Sequence, residues 1–140
     1  MINVNLNGVF YGLRYGIPAI KQAGGGAIVN MASIFGIVGG AVSPAYVAAK
    51  HAVIGLTRSA SLAHAADGIR VNAVGPAFIQ TPLVDANFDE EQKQSLINQT
   101  PIGRLGAPGE VASLVLFLLS EHASYISGSV HMVDGWFTAQ

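Results

Sequence analysis

Residues 27–76, AIVNMASIFGIVGGAVSPAYVAAKHAVIGLTRSASLAHAADGIRVNAVGP, decide the fold. Ala27–Met31 is a short apolar run able to form a strand. Ser33–Ser43 is a loop of small residues carrying Gly36, Gly39 and Gly40. Ser43-Pro44 then starts a helix: a capping residue followed by a proline, whose missing N–H costs nothing in the first turn. That helix is predicted to run to about Ala66, with Gly68 as its stop. Ile69–Val74 is a second apolar run, ended by Gly75-Pro76. Two continuously apolar strands joined by a long helix predict a parallel sheet with helices packed on its faces.

The same alternation extends in both directions. Val9, Phe10, Leu13, Ile17 and Ile20 recur at spacings of three and four, so Met1–Gln22 is predicted to be a helix. Pro18 would kink it near its end, and Gly24-Gly25-Gly26 breaks it. Residues 77–106 are predicted to be irregular, with a helix opening at about Phe88 or Asp89. Pro108 starts a third long helix, with Glu110 in the first turn, where a carboxylate suits the dipole. Ser129–Val133 is the last strand and Gly135 closes it. The predicted order is α-β-α-β-α-β: three parallel strands with helices on both faces.

The composition limits the function. Apolar residues make up 51% and charged residues 11%, which excludes a disordered chain. The net charge of −1 argues against a broad basic surface for nucleic acid. Arg14, Lys21, Lys50 and Arg58 all precede the first acid, Asp67, an asymmetry that suits either chance or an anion site in the first half. There is no cysteine, hence no disulfide, thiolate metal site or cysteine nucleophile. His51, His64, His122 and His131 lack ligand-like spacing, so no metal is expected. The longest apolar runs are broken by charges, and MINVNLNGVFYG is no signal peptide. A cytoplasmic protein without a membrane span is the expectation. The mean hydropathy of +0.46 is high for a lone domain and suggests apolar surface that meets a partner.

Tyr46 and Lys50 stand four apart on the best-marked helix, so both project from one face. A tyrosine hydroxyl titrates near ~10 in isolation. A neighbouring ammonium favours the phenolate, and a proton-transfer group works best near ambient pH. Many helices hold such a pair without using it. Ser33 lies in the loop after a strand, where a hydroxyl can donate to a carbonyl oxygen or simply shape a turn. The sequence lacks the Gly-x-Ser-x-Gly elbow of an α/β hydrolase.

Taken together, VNLNG, Ser33, YVAAK, IRVNAVGPAFIQTP, PIGRLGAPGEVA and SGSVHMVDG fall in an order and spacing that resembles the short-chain dehydrogenases/reductases. The resemblance covers almost the whole chain. It implies a doubly wound Rossmann-like fold, NAD or NADP as cofactor, a small carbonyl or alcohol substrate, and a homodimer or homotetramer. It implies that Tyr46 is the acid/base and that Lys50 assists it and bonds the nicotinamide ribose. Ser33 would orient the substrate. Asn5 would help hold a water in a proton relay, although an asparagine near a helix start is also an ordinary cap or surface residue. Pro76, Ala77, Phe78 and Ile79 match the stretch lying against the nicotinamide carboxamide, and Thr81 matches a threonine that meets the cofactor. Phe35, Val42, Phe78, Leu83 and Val84 suggest an apolar substrate pocket.

Two positions depart from the family pattern. Ala77 stands where glycine is usual, which matters only if φ there is positive. Trp136 replaces a second glycine after the VDG motif, placing a large ring at the C-terminal edge. The glycine-rich strand–turn–helix that holds a pyrophosphate is also absent from this sequence. Gly24–Gly26 cannot replace it, because it ends a helix and enters a strand. The resemblance therefore implies the catalytic half of a larger domain, with Ala27–Met31 becoming an exposed apolar sheet edge. Three expectations stand side by side: an oxidoreductase, a non-catalytic self-association module, and a piece of a longer chain.

Overall fold

A computed structural model describes residues 1–41 and 43–140, so the expectation for Val42 lies outside the described residues. Strands β1 (Gly26–Met31), β2 (Ile69–Pro76) and β3 (Val130–Val133) form one sheet in the order β1-β2-β3. Both pairings are parallel, running from Gly26 opposite Ile69 to Met31 opposite Val74, and from Ala73 opposite Val130 to Pro76 opposite Val133. β2 extends through Gly75-Pro76, which were expected to end it. A proline is tolerated at a strand end, and the following Ala77 N–H donates to the Val133 carbonyl at 3.1 Å.

The described residues include five α-helices, α1 (Gly8–Gln22), α2 (Pro44–Ala63), α3 (Pro82–Asn87), α4 (Glu90–Asn98) and α5 (Pro108–Leu119), of which α1, α2 and α5 pack on the sheet. Alternation along β2 sorts them into layers. Ile69, Val71 and Ala73 face α1 and α2, packing with Leu13, Ile17, Val53 and Ile54. Val74 faces the other way, onto Val111 and Leu118 of α5. This is the expected α/β architecture, with β1 as an edge strand. No helix among the described residues is long and apolar enough to cross a membrane.

Helix ends follow local chemistry, and three differ from expectation. α1 is preceded by a π-helical turn, Asn3–Asn7, and runs unbroken through Pro18. α2 stops at Ala63, because Ala65–Asp67 tightens into a 3₁₀ turn and Gly68 takes the left-handed φ of 69°. Residues 82–87, expected to be irregular, form α3: Pro82 opens the helix and the Thr81 hydroxyl accepts from the Val84 N–H. α4 opens at Asp89 as expected, through a reciprocal pair in which Asp89 accepts from the Gln92 N–H and Gln92 accepts from the Asp89 N–H.

Candidate active site

The candidate residues gather at the C-terminal ends of the parallel strands, where open α/β sheets hold their ligands. Ser33 follows β1 and residues 77–81 follow β2, while Tyr46 and Lys50 lie in the first turns of α2. Lys50 is 8% exposed, and its Nζ donates to the carbonyl of Met31, the last residue of β1, at 2.9 Å. Burial lowers its pKa, because a desolvated ammonium is disfavoured. The same Nζ lies 5.4 Å from the centre of the Tyr46 ring. On the ring's other contact, Phe35 meets Tyr46 edge-on with centroids 6.4 Å apart.

Ser33 is 6% exposed. Its Oγ accepts from the Phe35 N–H at 3.3 Å, and its own O–H has no acceptor among the described residues. The loop is pressed onto α2 at the level of Lys50. A Cβ added to Gly36 would stand 3.0 Å from the Lys50 carbonyl oxygen and 2.7 Å from Ile54 Cδ1. Glycine makes that approach possible without moving either neighbour. Ser33, Phe35, Tyr46 and Lys50 thus share one neighbourhood. Asn5 lies in the π-helical turn, with its side-chain amide bonded back to the Met1 carbonyl at 3.1 Å. It lines an open groove together with Met31 and Lys50. π-Turns are frequent at functional sites.

Beyond β2 the chain finds a second partner. Ile79 forms a parallel bridge with Gly106, in which Gly106 N–H donates to Phe78 C=O at 2.9 Å and Gln80 N–H donates to Gly106 C=O at 2.8 Å. The N–H and C=O of Ile79 itself have no partner among the described residues. Ala77 does not have a positive φ, so it sits where glycine is usual without strain. The left-handed conformation falls instead on Trp136, at φ 67°, and its side chain is exposed. Phe78 meets Phe137 edge-on at 5.5 Å. Thr81 caps α3, and Leu83 on that helix is exposed. Among the described residues, the His51 Nδ1–H donates only to the Val47 carbonyl, 3.0 Å away and one turn back.

Sequence reasoning missed three partners. The first is the Met31 carbonyl, a backbone acceptor that no side-chain pattern announces. The second is Phe137. The third is an ion pair between Arg104 and Glu110, with both guanidinium nitrogens 2.8 Å from the two carboxylate oxygens. Glu110 also accepts from the Ala107 N–H at 2.7 Å. Arg104 and this N–H together hold its carboxyl at about 2, well below the usual range. The signal was present: a glutamate two places after a helix-opening proline, with an arginine six residues earlier.

Comparison with known proteins finds relatives along almost the whole chain. The family model described as enoyl-(acyl carrier protein) reductase matches residues 1–138. A cyclohexanol dehydrogenase of Acinetobacter sp. (strain SE19) is 53% identical over 140 residues, covering 100% of this chain and 54% of that protein. An NADP-dependent (R)-specific alcohol dehydrogenase of Lentilactobacillus kefiri is 41% identical, covering 100% of this chain and 57% of that protein. The crystal structure of levodione reductase superposes with a TM-score of 0.93 at 38% identity, over 99% of this chain and 56% of that one. A structure of ElxO with NADP bound superposes with a TM-score of 0.89 at 34% identity, over 97% and 56%. The chain spans about half the length of the curated relatives it matches.

Proposed function

The chain belongs to the short-chain dehydrogenase/reductase family, and we propose on that premise that it carries the proton-transfer side of an oxidoreductase interconverting a ketone and a secondary alcohol. The supporting observation is the Tyr46–Lys50 pair. Lys50 is buried, anchored to the end of β1 and set against the Tyr46 ring, with the free hydroxyl of Ser33 in the loop pressed on the same turn.

The residues fit the nicotinamide end of NAD or NADP. Ile79 offers an unpaired N–H and C=O, the complement of a carboxamide, and Lys50 offers donors suited to ribose hydroxyls. The bound nicotinamide supplies or takes up the hydride at the carbinol carbon. In the reduction, the Tyr46 hydroxyl gives its proton to the substrate oxygen, and in the oxidation it takes that proton back. Ser33 donates its free O–H to the same oxygen and fixes the orientation of the carbonyl. The Lys50 ammonium balances the charge left on the tyrosine oxygen. Asn5, in the groove shared with Lys50, holds a water through which the proton is replaced. Thr81 completes the cofactor side, with Pro76, Ala77 and Phe78 as its floor. Phe35, Phe78, Leu83 and Val84 form the apolar substrate side.

The names of the relatives suggest a cyclic ketone as the first substrate to try. The test is oxidation of NADH or NADPH with cyclohexanone, by the 140-residue chain alone and co-expressed with the part of the cyclohexanol dehydrogenase that this chain does not match. Turnover that falls about 10²–10⁴-fold in Tyr46→Phe is expected. Turnover untouched by Tyr46→Phe overturns the role of the tyrosine, and none in either format overturns the activity. A second reading, a self-associating module, is favoured by the exposed Phe10, Tyr11 and Tyr15 on α1 and Leu116, Phe117 and Leu119 on α5. The two are compatible in a homodimer or homotetramer.

A further inference from the structure

We propose that Arg104 and Glu110 are positioning residues: their ion pair locks Gly106 against the end of β2 and so holds the free N–H and C=O of Ile79 toward the nicotinamide carboxamide. The proposal rests on the nicotinamide reading above and adds the device that orients its recognition element.

After Ala77 the chain has left the sheet. Among the described residues, its backbone partner over Phe78–Gln80 is Gly106, through two hydrogen bonds. Such a bridge is as firm as the loop that offers it, and that loop is fastened on both sides of Gly106. Two residues before it, the Arg104 guanidinium engages both oxygens of Glu110, and its Nη1 also donates to the Leu105 carbonyl at 3.1 Å. One residue after it, the Ala107 N–H donates to the same carboxylate. Both anchors therefore meet on one side chain, planted in the first turn of α5. α5 in turn is seated on the sheet through Val111 and Leu118, beside Val74 of β2. Charge-assisted, bidentate geometry is the strong form of such a contact.

Gly106 fits this use. A Cβ there would lie 2.6 Å from Ile79 Cδ1, so any larger residue would push the Ile79 side chain aside. Backbone alternation does the rest. Because Phe78 C=O and Gln80 N–H point to Gly106, the Ile79 N–H and C=O point to the opposite side. The ion pair is half-exposed on both sides, 50% and 42%, and an exposed pair adds little to global stability. Its loss is therefore expected to be felt locally, which separates positioning from scaffolding. With Glu110 at about 2, the clasp stays closed throughout the neutral range.

The experiment is NMR on the ¹⁵N-labelled 140-residue chain and its Glu110→Gln, Arg104→Met and Arg104→Lys variants, titrated with nicotinamide mononucleotide. In the wild type the Ile79 amide is expected to shift and saturate. Glu110→Gln and Arg104→Met are expected to weaken that binding about tenfold or more, with Arg104→Lys in between because it keeps the charge and loses the fork. Hydrogen exchange at the Gln80 and Gly106 amides should quicken to a similar degree while that of Val71 stays unchanged. Equal binding by wild type and variants overturns the proposal alone. A wild-type Ile79 amide that never responds overturns the nicotinamide reading and this proposal with it. Faster exchange at Val71 in step with Gln80 overturns positioning in favour of scaffolding. Should Glu110→Gln unfold, Arg104→Lys decides between these outcomes.

Discussion

Trp136 holds φ 67° immediately after Gly135, itself at φ 56°, and turns the chain out of β3 into the short 3₁₀ turn Phe137–Ala139. A side chain in the left-handed region costs about 1–2 kcal/mol, against roughly 0.5–1 kcal/mol for the extra freedom a glycine surrenders. The Trp136 ring is 63% exposed, so little burial offsets that strain. Trp136→Gly is expected to stabilise the chain by about 0.5–1 kcal/mol, read by circular dichroism in urea. An unchanged or lower midpoint would show that the ring supports the turn. The two departures from the family pattern looked alike in sequence, and only the backbone separated them: Ala77 has an ordinary φ and Trp136 does not. The same limit applies around Lys50. Tyr46 and Lys50 were legible because four residues make one helical turn. The Met31 carbonyl that anchors Lys50 was not, because a backbone acceptor carries no residue identity.

At the scale of elements, legibility followed length and punctuation. α2 and α5 were readable from a proline at the start and an apolar stripe several turns long. α3 was not: six residues carry too little periodicity, and the helix depends on the Thr81 cap and Pro82. Contacts between elements were equally hidden. Arg70, on the α5 side of β2, donates to the carbonyls of Leu118 at 2.7 Å and Ser120 at 3.0 Å. Those groups belong to the end of α5, whose last carbonyls have no partner within the helix, and a cation there also suits the dipole. Asn72, two residues along the same face, donates to the Ile126 carbonyl and accepts from the Ser129 N–H. β2 thus ties α5 and the approach to β3 through two polar side chains in an otherwise apolar strand. Arg70→Met keeps the length and removes the donors. It is expected to cost about 1–3 kcal/mol in urea unfolding, and an unchanged midpoint would show that water satisfies these carbonyls equally well.

For the whole molecule, the high mean hydropathy acquires a location. α1 leaves Phe10, Tyr11 and Tyr15 exposed, α5 leaves Leu116, Phe117 and Leu119 exposed, and β1 pairs on one side only. An unblunted edge strand offers a row of free N–H and C=O groups to another chain. Exposed apolar side chains on two helices offer further surface for a partner to cover. β1 has no proline, no lysine and no bulge to discourage pairing, since its sequence is GAIVNM and its register with β2 is regular. The 140-residue chain by itself is therefore expected to self-associate. Sedimentation over increasing concentration should give an apparent mass rising above 14.5 kDa. Tyr15→Glu and Phe117→Glu test the two helix faces separately. If either lowers the apparent mass, that face is an interface; if neither does while association persists, the β1 edge carries it. A strictly monomeric chain at about 100 μM would contradict both, because an interface of ordinary affinity is populated at that concentration.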